Sequence, residues 1–254
     1  MKIVRIRLED DEIAYGGVEP EGIRVHRGSP FVAWEPTETL LPFADTQLLA
    51  PVFPTKVVCV ARNYVEHAAE QNAEVSDEPV IFLKPSTAVI GPGQPIVLPP
   101  EAKTVHHEAE LVIVVGKVSR KVKAESASAH IIGYTAANDV SARDLQAIDG
   151  QWTRAKSFDS FCPLGPAIET ELDPIGLSVT CAVNGEIRQE GNTEDMVFGV
   201  AEIFEFVTGI MTMLPGDVIL TGTPAGVGPI VAGDLVDVSI ERIGSLTNPV
   251  VNGS

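Results

Sequence analysis

The feature that most constrains this chain is the stretch VHHEAELVIVVGK, residues 105 to 117. Its apolar run, Leu111 to Val115, is rich in β-branched residues and stops at Gly116, which predicts a buried strand. The strand is entered through Glu108 and Glu110. Side chains alternate along a strand, so the two carboxylates point to one side, roughly 7 Å apart along the chain. Two like charges leading into a core repel each other. They call for protonation, a basic partner or a metal ion.

Runs of similar character recur from Lys56 onward: KVVCVA (56–61), PVIFLK (79–84), PIVLP (95–99), AELVIVVG (109–116), IIGYTAAND (131–139), LSVTCAVNG (177–185), DVILTG (217–222) and DLVDVSIE (234–241). VNGE (183–186) signals a hairpin, because Asn-Gly tolerates the positive φ angles of a tight turn. Helical spacing is clearest in FGVAEIFEFVTGIM (198–211), with a shorter candidate at AESASAHI (124–131). Many strands and few helices predict a mainly β, α+β fold, a sandwich or closed roll rather than a doubly wound sheet. Residues 1–50, with alternation in KIVRIRL and EIAYGGV, read as a small β-rich unit. LLAPVFPTK (48–56) reads as a connector, and 51–254 as the main domain.

Charge narrows the function. Against 18 Lys plus Arg stand 35 Asp plus Glu, a net charge of −17. That excludes a nucleic-acid surface and an anionic membrane surface as expected partners, while a locally positive site for a small anion remains open. No apolar run approaches the ~18 residues of a membrane span. MKIVRIRLED has no signal-peptide core, and three scattered cysteines favour a reducing cytoplasm over disulfides or zinc.

Four constellations carry chemistry. Asp139 ends a strand-like run, and with Glu108 and Glu110 it would make a hard, all-oxygen cation site. The alternative is that Glu108 pairs with a basic residue and Asp139 caps a turn. His106 and His107 face opposite sides, so at most one would share the glutamate face. Lys156 lies between Trp152 and Phe158, and on these residues alone it reads as a lysine whose stem packs while its charge stays in water. TGTPAGVG (221–228) offers hydroxyls and backbone N–H groups for a carboxylate, or is simply a tight turn; it lacks the ending of a P-loop. His67 and Glu70, one helical turn apart, suit an imidazole oriented by a carboxylate, or a solvated helix with an incidental histidine. The segment around them carries Glu66, Glu74, Asp77 and Glu78, a composition suited to a mobile lid.

RNYVEHAAE, FLKPSTAVIGPGQPIVLP, HHEAELVIVVG, YTAANDVSARDLQ, KSFDSFCPLGP, NGEIRQEGNTEDMVF and MLPGDVILTGTPAGVG follow one another in the order seen in the fumarylacetoacetate hydrolase family. The chain resembles that family over about residues 56 to 250. The resemblance implies a mixed β-sandwich roll, usually a homodimer. It implies a divalent cation, Mg²⁺ or Mn²⁺ with Ca²⁺ as a substitute, held by Glu108, Glu110 and Asp139. It assigns His67 and Glu70 as a catalytic dyad on a lid that orders with ligand, and sets Lys156, Arg143, Gln146 and Thr223 around a small anionic keto-acid substrate. The N-terminal 50 residues are shorter than the SH3-like domain of the founding enzymes, which points to the small bacterial and mitochondrial branch. The expected reaction is cleavage of the C3–C4 bond of a 2-keto (di)acid, such as oxaloacetate or an acylpyruvate, through a metal-stabilised enolate. The alternatives are an isomerase or decarboxylase of a hydroxymuconate-type diacid, of the 2-hydroxyhepta-2,4-diene-1,7-dioate isomerase kind, and a non-catalytic cation-binding module.

Overall fold

The computed structural model describes residues 1–9 and 11–253. The chain opens with a meander of β1 (Lys2–Arg7), β2 (Ile13–Glu19), β3 (Gly22–Ser29) and β4 (Ala33–Leu41), followed by β5 (Gln47–Leu49). Then come β6 (Val57–Ala61), α1 (Val65–Glu70), β7 (Val80–Lys84), β8 (Val89–Ile90), β9 (Ile96–Leu98), β10 (Val105–His107) and β11 (Ala109–Val115). The middle of the chain gives β12 (Ile131–Asn138), β13 (Ser141–Ala142), α2 (Arg143–Asp149), α3 (Thr153–Lys156) and β14 (Cys162–Glu169). Last are β15 (Ser178–Val183), β16 (Glu186–Asn192), α4 (Val200–Ile210), β17 (Val218–Leu220), β18 (Gly228–Pro229), β19 (Leu235–Ile240) and β20 (Gly244–Asn252).

The spine of a 12-stranded mixed sheet runs β4-β3-β2-β1-β14-β12-β11-β17-β6-β7, with β5 paired to β1 and β8 to β14. A five-stranded sheet runs β16-β15-β19-β20-β9, and a small three-stranded one runs β13-β10-β18. The N-terminal meander is continuous with the large sheet, because Lys2 and Ile3 of β1 pair with Glu169 and Ile168 of β14.

β11 shows why the fold is a sandwich. All seven of its residues are buried. Leu111, Ile113 and Val115 join the core that includes Val179, Val236 and Val238 of the five-stranded sheet. Val112 and Val114 turn to the other face, among Cys59, Leu164, Ile168 and Leu220. A strand buried on both faces has no need of polar alternation, hence the continuous apolar run. Each such side chain contributes ~1.5–3 kcal/mol of burial.

The hairpin at 183–186 forms, with Asn184 and Gly185 both at positive φ between β15 and β16. Helix α4 buries Val200, Ile203, Phe204 and Val207, a stripe at helical spacing. The expected helix at 124–131 is a tighter 3₁₀ turn, Ala124–Ala129. Strand β14 was not among the expected strands, because Pro163, Gly165 and Pro166 break its pattern. Its pairing with β12 is correspondingly irregular between Tyr134 and Ala136. The three cysteines are free and buried, and among the described residues no helix is long and apolar enough to cross a membrane.

Candidate active site

The chain breaks its strand geometry between β10 and β11, and Glu108 occupies the break. Asn138, at the end of β12, repairs it: its Oδ1 accepts the Glu108 N–H at 2.9 Å, and the Asp139 N–H donates to the Glu108 carbonyl at 2.9 Å. Glu110 stands on β11 itself. These elements bring carboxylate oxygens of Glu108, Glu110 and Asp139 to within 4.8 Å of one another, all three buried.

Three cations surround the cluster and share it unevenly. Lys156 Nζ, from α3, donates to Glu108 Oε2 at 2.9 Å and Asp139 Oδ2 at 2.6 Å. Lys84 Nζ, from the end of β7, is paired with Asp139 Oδ1 and donates to the Phe161 and Val140 carbonyls at 2.6 and 3.2 Å. Arg143, first residue of α2, is paired with Glu108 Oε1 and donates to Gln146 Oε1 at 2.9 Å. Glu110 accepts the backbone N–H of Gly222 at 2.6 Å and has no ion-pair partner among the described residues.

The electrostatic consequences diverge. Burial works to raise the Glu108 pKa, but Arg143 and Lys156 outweigh it and hold the carboxyl well below the usual range. Burial raises the Glu110 carboxyl well above its ordinary value, and the neighbouring Asp139 and Glu108 charges push it the same way. Burial works to lower the Lys156 pKa, yet Asp139 and Glu108 leave it raised and the side chain charged. A lysine only 3% exposed is not the solvated side chain that its local sequence suggested.

α1 covers the cluster. Tyr64, His67 and Ala68 are buried, so the helix is docked despite its acidic flanks. His67 Nδ1 lies 3.3 Å from Glu70 Oε2, and its Nε2 faces the Gln71 amide nitrogen at 3.0 Å. Burial lowers the His67 pKa, against the pull of Glu108 and Glu70, so the ring is neutral. Glu70 in turn accepts the Gly226 N–H at 3.3 Å, tying the helix to the glycine-rich loop.

That loop is positioned by Gln189 of β16. Its Oε1 accepts from Ala109 N–H and His107 Nδ1, at 3.0 and 2.9 Å, and its Nε2 donates to Thr223 Oγ1 and the Pro224 carbonyl, both at 2.8 Å. Thr223 Oγ1 passes its own proton to the Ala109 carbonyl at 2.8 Å. The hydroxyl therefore already donates and accepts within the fold. His107 is part of this buried network, while His106 turns the other way, its Nδ1 3.4 Å from Arg143 Nε.

A narrow cleft opens on the cluster. His67, Glu108, Glu110, Asp139, Arg143, Gln146, Lys156 and Thr223 line it, whereas Glu70 lines an adjoining outer cavity with His106 and holds His67, and His107 lines neither. Reasoning from local sequence missed Lys84, Gln189, Gln71 and Arg62. Lys84 closes an apolar run, which is a weak signal; Gln189 sits in an exposed-looking hairpin strand and gave none.

A family model described as fumarylacetoacetate (FAA) hydrolase C-terminal matches residues 56–251, and one described as Rv2993c-like, N-terminal matches residues 1–51. The mitochondrial oxaloacetate tautomerase FAHD2A of Homo sapiens is 47% identical over 225 residues, 84% of this chain and 72% of that protein. Among solved structures, 5-carboxymethyl-2-hydroxymuconate delta-isomerase from Mycobacterium smegmatis is 47% identical, with a TM-score of 0.93 and full coverage of both chains. Maleylpyruvate hydrolase from Sphingobium sp. SYK-6, in complex with manganese (II) ion and pyruvate, is 31% identical with a TM-score of 0.81, again over the whole of both chains.

Proposed function

The chain belongs to the fumarylacetoacetate hydrolase family, and from that premise we propose that it is a divalent-cation-dependent enzyme breaking the C3–C4 bond of a small 2-keto (di)acid such as oxaloacetate or an acylpyruvate. One observation carries the reading: three buried carboxylates converge, and one of them, Glu110, has only a backbone N–H to balance it. An all-oxygen donor set of this kind suits Mg²⁺ or Mn²⁺, with Ca²⁺ as a larger substitute, and Glu108, Glu110 and Asp139 would hold the ion. When bound, the cation supplies Lewis-acid stabilisation of the negative charge that gathers on a 2-keto oxygen as C3 becomes carbanionic.

The remaining work falls to the chain's own side chains. Lys156 and Arg143 balance fixed and developing negative charge, and Gln146 orients Arg143 through its amide oxygen. Thr223 shapes the wall, its hydroxyl being committed elsewhere. His67 is the base, with Nδ1–H directed at Glu70; its Nε2 accepts from the Gln71 amide, a contact that proton transfer would have to replace. If an acyl group leaves, that proton comes from the water attacking C4. If CO₂ leaves, no water attack is needed and the dyad handles protons at C3.

A second reading, a proton shift at C3 without cleavage, is supported by the tautomerase and isomerase among the relatives. One experiment separates the two. The protein is incubated in D₂O with Mg²⁺ or Mn²⁺ and oxaloacetate, acetylpyruvate or a hydroxymuconate diacid, and followed by NMR. Pyruvate formation faster than with the cation alone is expected for cleavage. Deuterium entering C3 faster than in the protein-free control, without added pyruvate, would move the assignment to the isomerase reading. No change beyond that control in any substrate would leave a non-catalytic module. The working unit proposed is a two-fold homodimer; light scattering giving the mass of a single chain at micromolar concentration would overturn it.

A further inference from the structure

Arg62 stands where β6 ends and the chain turns into α1. Its backbone is left-handed, φ 55°, a conformation uncommon for a side chain of this size and concentrated at functional sites. Asn63 pins the turn. Its Nδ2 donates to the Thr221 and Phe198 carbonyls at 2.8 and 3.0 Å, and its Oδ1 accepts the Phe198 N–H at 2.8 Å. The turn sets the Arg62 guanidinium 5.7 Å over the Trp152 ring. Its Nε is buried without a hydrogen-bond partner, and among the described residues no carboxylate pairs with it. A buried donor left open in this way asks for an acceptor from outside the fold.

The wall that carries Arg62 belongs to two cavities. Arg62, Gln71, Arg143, Gln146 and Trp152 line both the inner cleft and a wider outer space. The other charged and titratable groups of the outer space are already engaged. Arg143 is held by Glu108 and Gln146, and Glu70 by His67 and Gly226. His106 faces Arg143, its Nδ1 3.4 Å from Arg143 Nε. The uncommitted charge in the outer space is therefore the Arg62 guanidinium.

We propose that Arg62, backed by Trp152, is the subsite for a second carboxylate, carried at the far end of a 2-keto acid whose near end occupies the acidic cluster. This rests on the keto-acid reading of that cluster. A guanidinium offers two parallel N–H donors to a carboxylate, so the subsite selects a diacid over an acylpyruvate with a neutral tail.

The test reads binding, not turnover. Mg²⁺-loaded wild type, Arg62→Gly and Arg62→Lys are titrated calorimetrically with pyruvate and with the keto diacids 2-oxoglutarate and 2-oxoadipate. Glycine suits the positive φ, so the turn keeps its shape in that variant. Wild type should prefer at least one diacid over pyruvate. Arg62→Gly should weaken that diacid by ~10–100-fold and pyruvate by less than about twofold, with Arg62→Lys in between. Equal losses on diacid and pyruvate, or no loss on either, would overturn the subsite. So would a wild type that binds pyruvate but prefers no diacid. A wild type that binds neither class would overturn the keto-acid reading and the subsite with it.

Discussion

Glu108, Glu110 and Asp139 are buried, and Glu108 and Asp139 are each paired with cations fixed on a strand or a short helix. α1, a few ångströms away, is held differently. It is a six-residue helix without a side-chain N-cap, and its link to the facing loop is a pair of 3.3 Å hydrogen bonds to a carboxylate that is 37% exposed. The cluster must keep its geometry, because an ion site or a charged transition state loses stabilisation steeply with misplacement. On the proposed reading the helix carries the proton-handling histidine and has to let substrate in, and its few, exposed contacts are of a kind that open at low cost. Rigidity and mobility are thus assigned to different elements of one site, and substitutions on either side should behave differently.

The largest expected effect lies in the cluster. Glu110→Ala removes a ligand and leaves no cation orphaned, so the chain should fold normally and lose Mg²⁺ binding, with turnover down by ~10³-fold or more. Wild-type turnover after exhaustive chelation, at the rate seen with Mg²⁺, would refute the cation's role altogether. On the helix side, His67→Ala should lower acylpyruvate hydrolysis by ~10²–10⁴-fold while leaving Mg²⁺ affinity unchanged. Decarboxylation of oxaloacetate, which needs no water attack, should suffer less in the same variant. Equal losses on the two substrates would mean that His67 serves closure or a shared proton step, and the water-activating role would be dropped. Lys84→Met returns to the cluster. Removing Lys84 leaves Asp139 with Lys156 alone, a cation it must share with Glu108, so unfolding in urea should show a loss of up to ~3–5 kcal/mol, partly recovered by saturating Mg²⁺. A variant as stable as wild type without the ion would show that the cluster is less tightly braced than its hydrogen bonds indicate.

The same contrast marks how far the sequence could be read. The β11 strand and its Glu-x-Glu entry were legible because periodicity and charge repulsion are local properties. The spread of the family's motifs then gave the order of the site residues. The bracing was not legible. Lys84 meets Asp139 and Phe161 across 55 and 77 residues of chain, and Gln189 reaches Ala109 across 80, so neither contact leaves a local trace. Lys156 misled for the same reason, since its burial depends on two carboxylates held just beyond the ends of other strands. β14 was hidden by its prolines, which argue against a central strand unless a bulge accommodates them. Thr223 lines the cleft, and the partners that occupy its hydroxyl come from β11 and β16 and are visible only in the fold.

The smallest effect is also the one that isolates Glu110. Its carboxyl lies well above its ordinary value of 4.5, from burial first and then from Asp139 and Glu108. In the cation-free protein it is the member of the cluster that retains a proton. An incoming dication needs the carboxylate, so binding must expel that proton. Below the elevated Glu110 pKa, Mg²⁺ affinity should therefore fall ~tenfold for each pH unit, and above it this dependence should vanish. Stability has the matching sign. A carboxyl whose folded pKa is raised binds more protons folded than unfolded, so its contribution is fully present below pH 4.5 and is lost as pH rises through the folded value. The cation-free protein should lose stability across that window, and Mg²⁺ should restore it. Calorimetry in buffers of different ionisation enthalpy counts the protons released per ion. A value near one below the transition is expected for the wild type, and a value near zero for Glu110→Gln, which keeps a neutral oxygen ligand that Glu110→Ala lacks. Proton release that survives that substitution would place the proton on another group and remove the distinction drawn between Glu110 and its two neighbours.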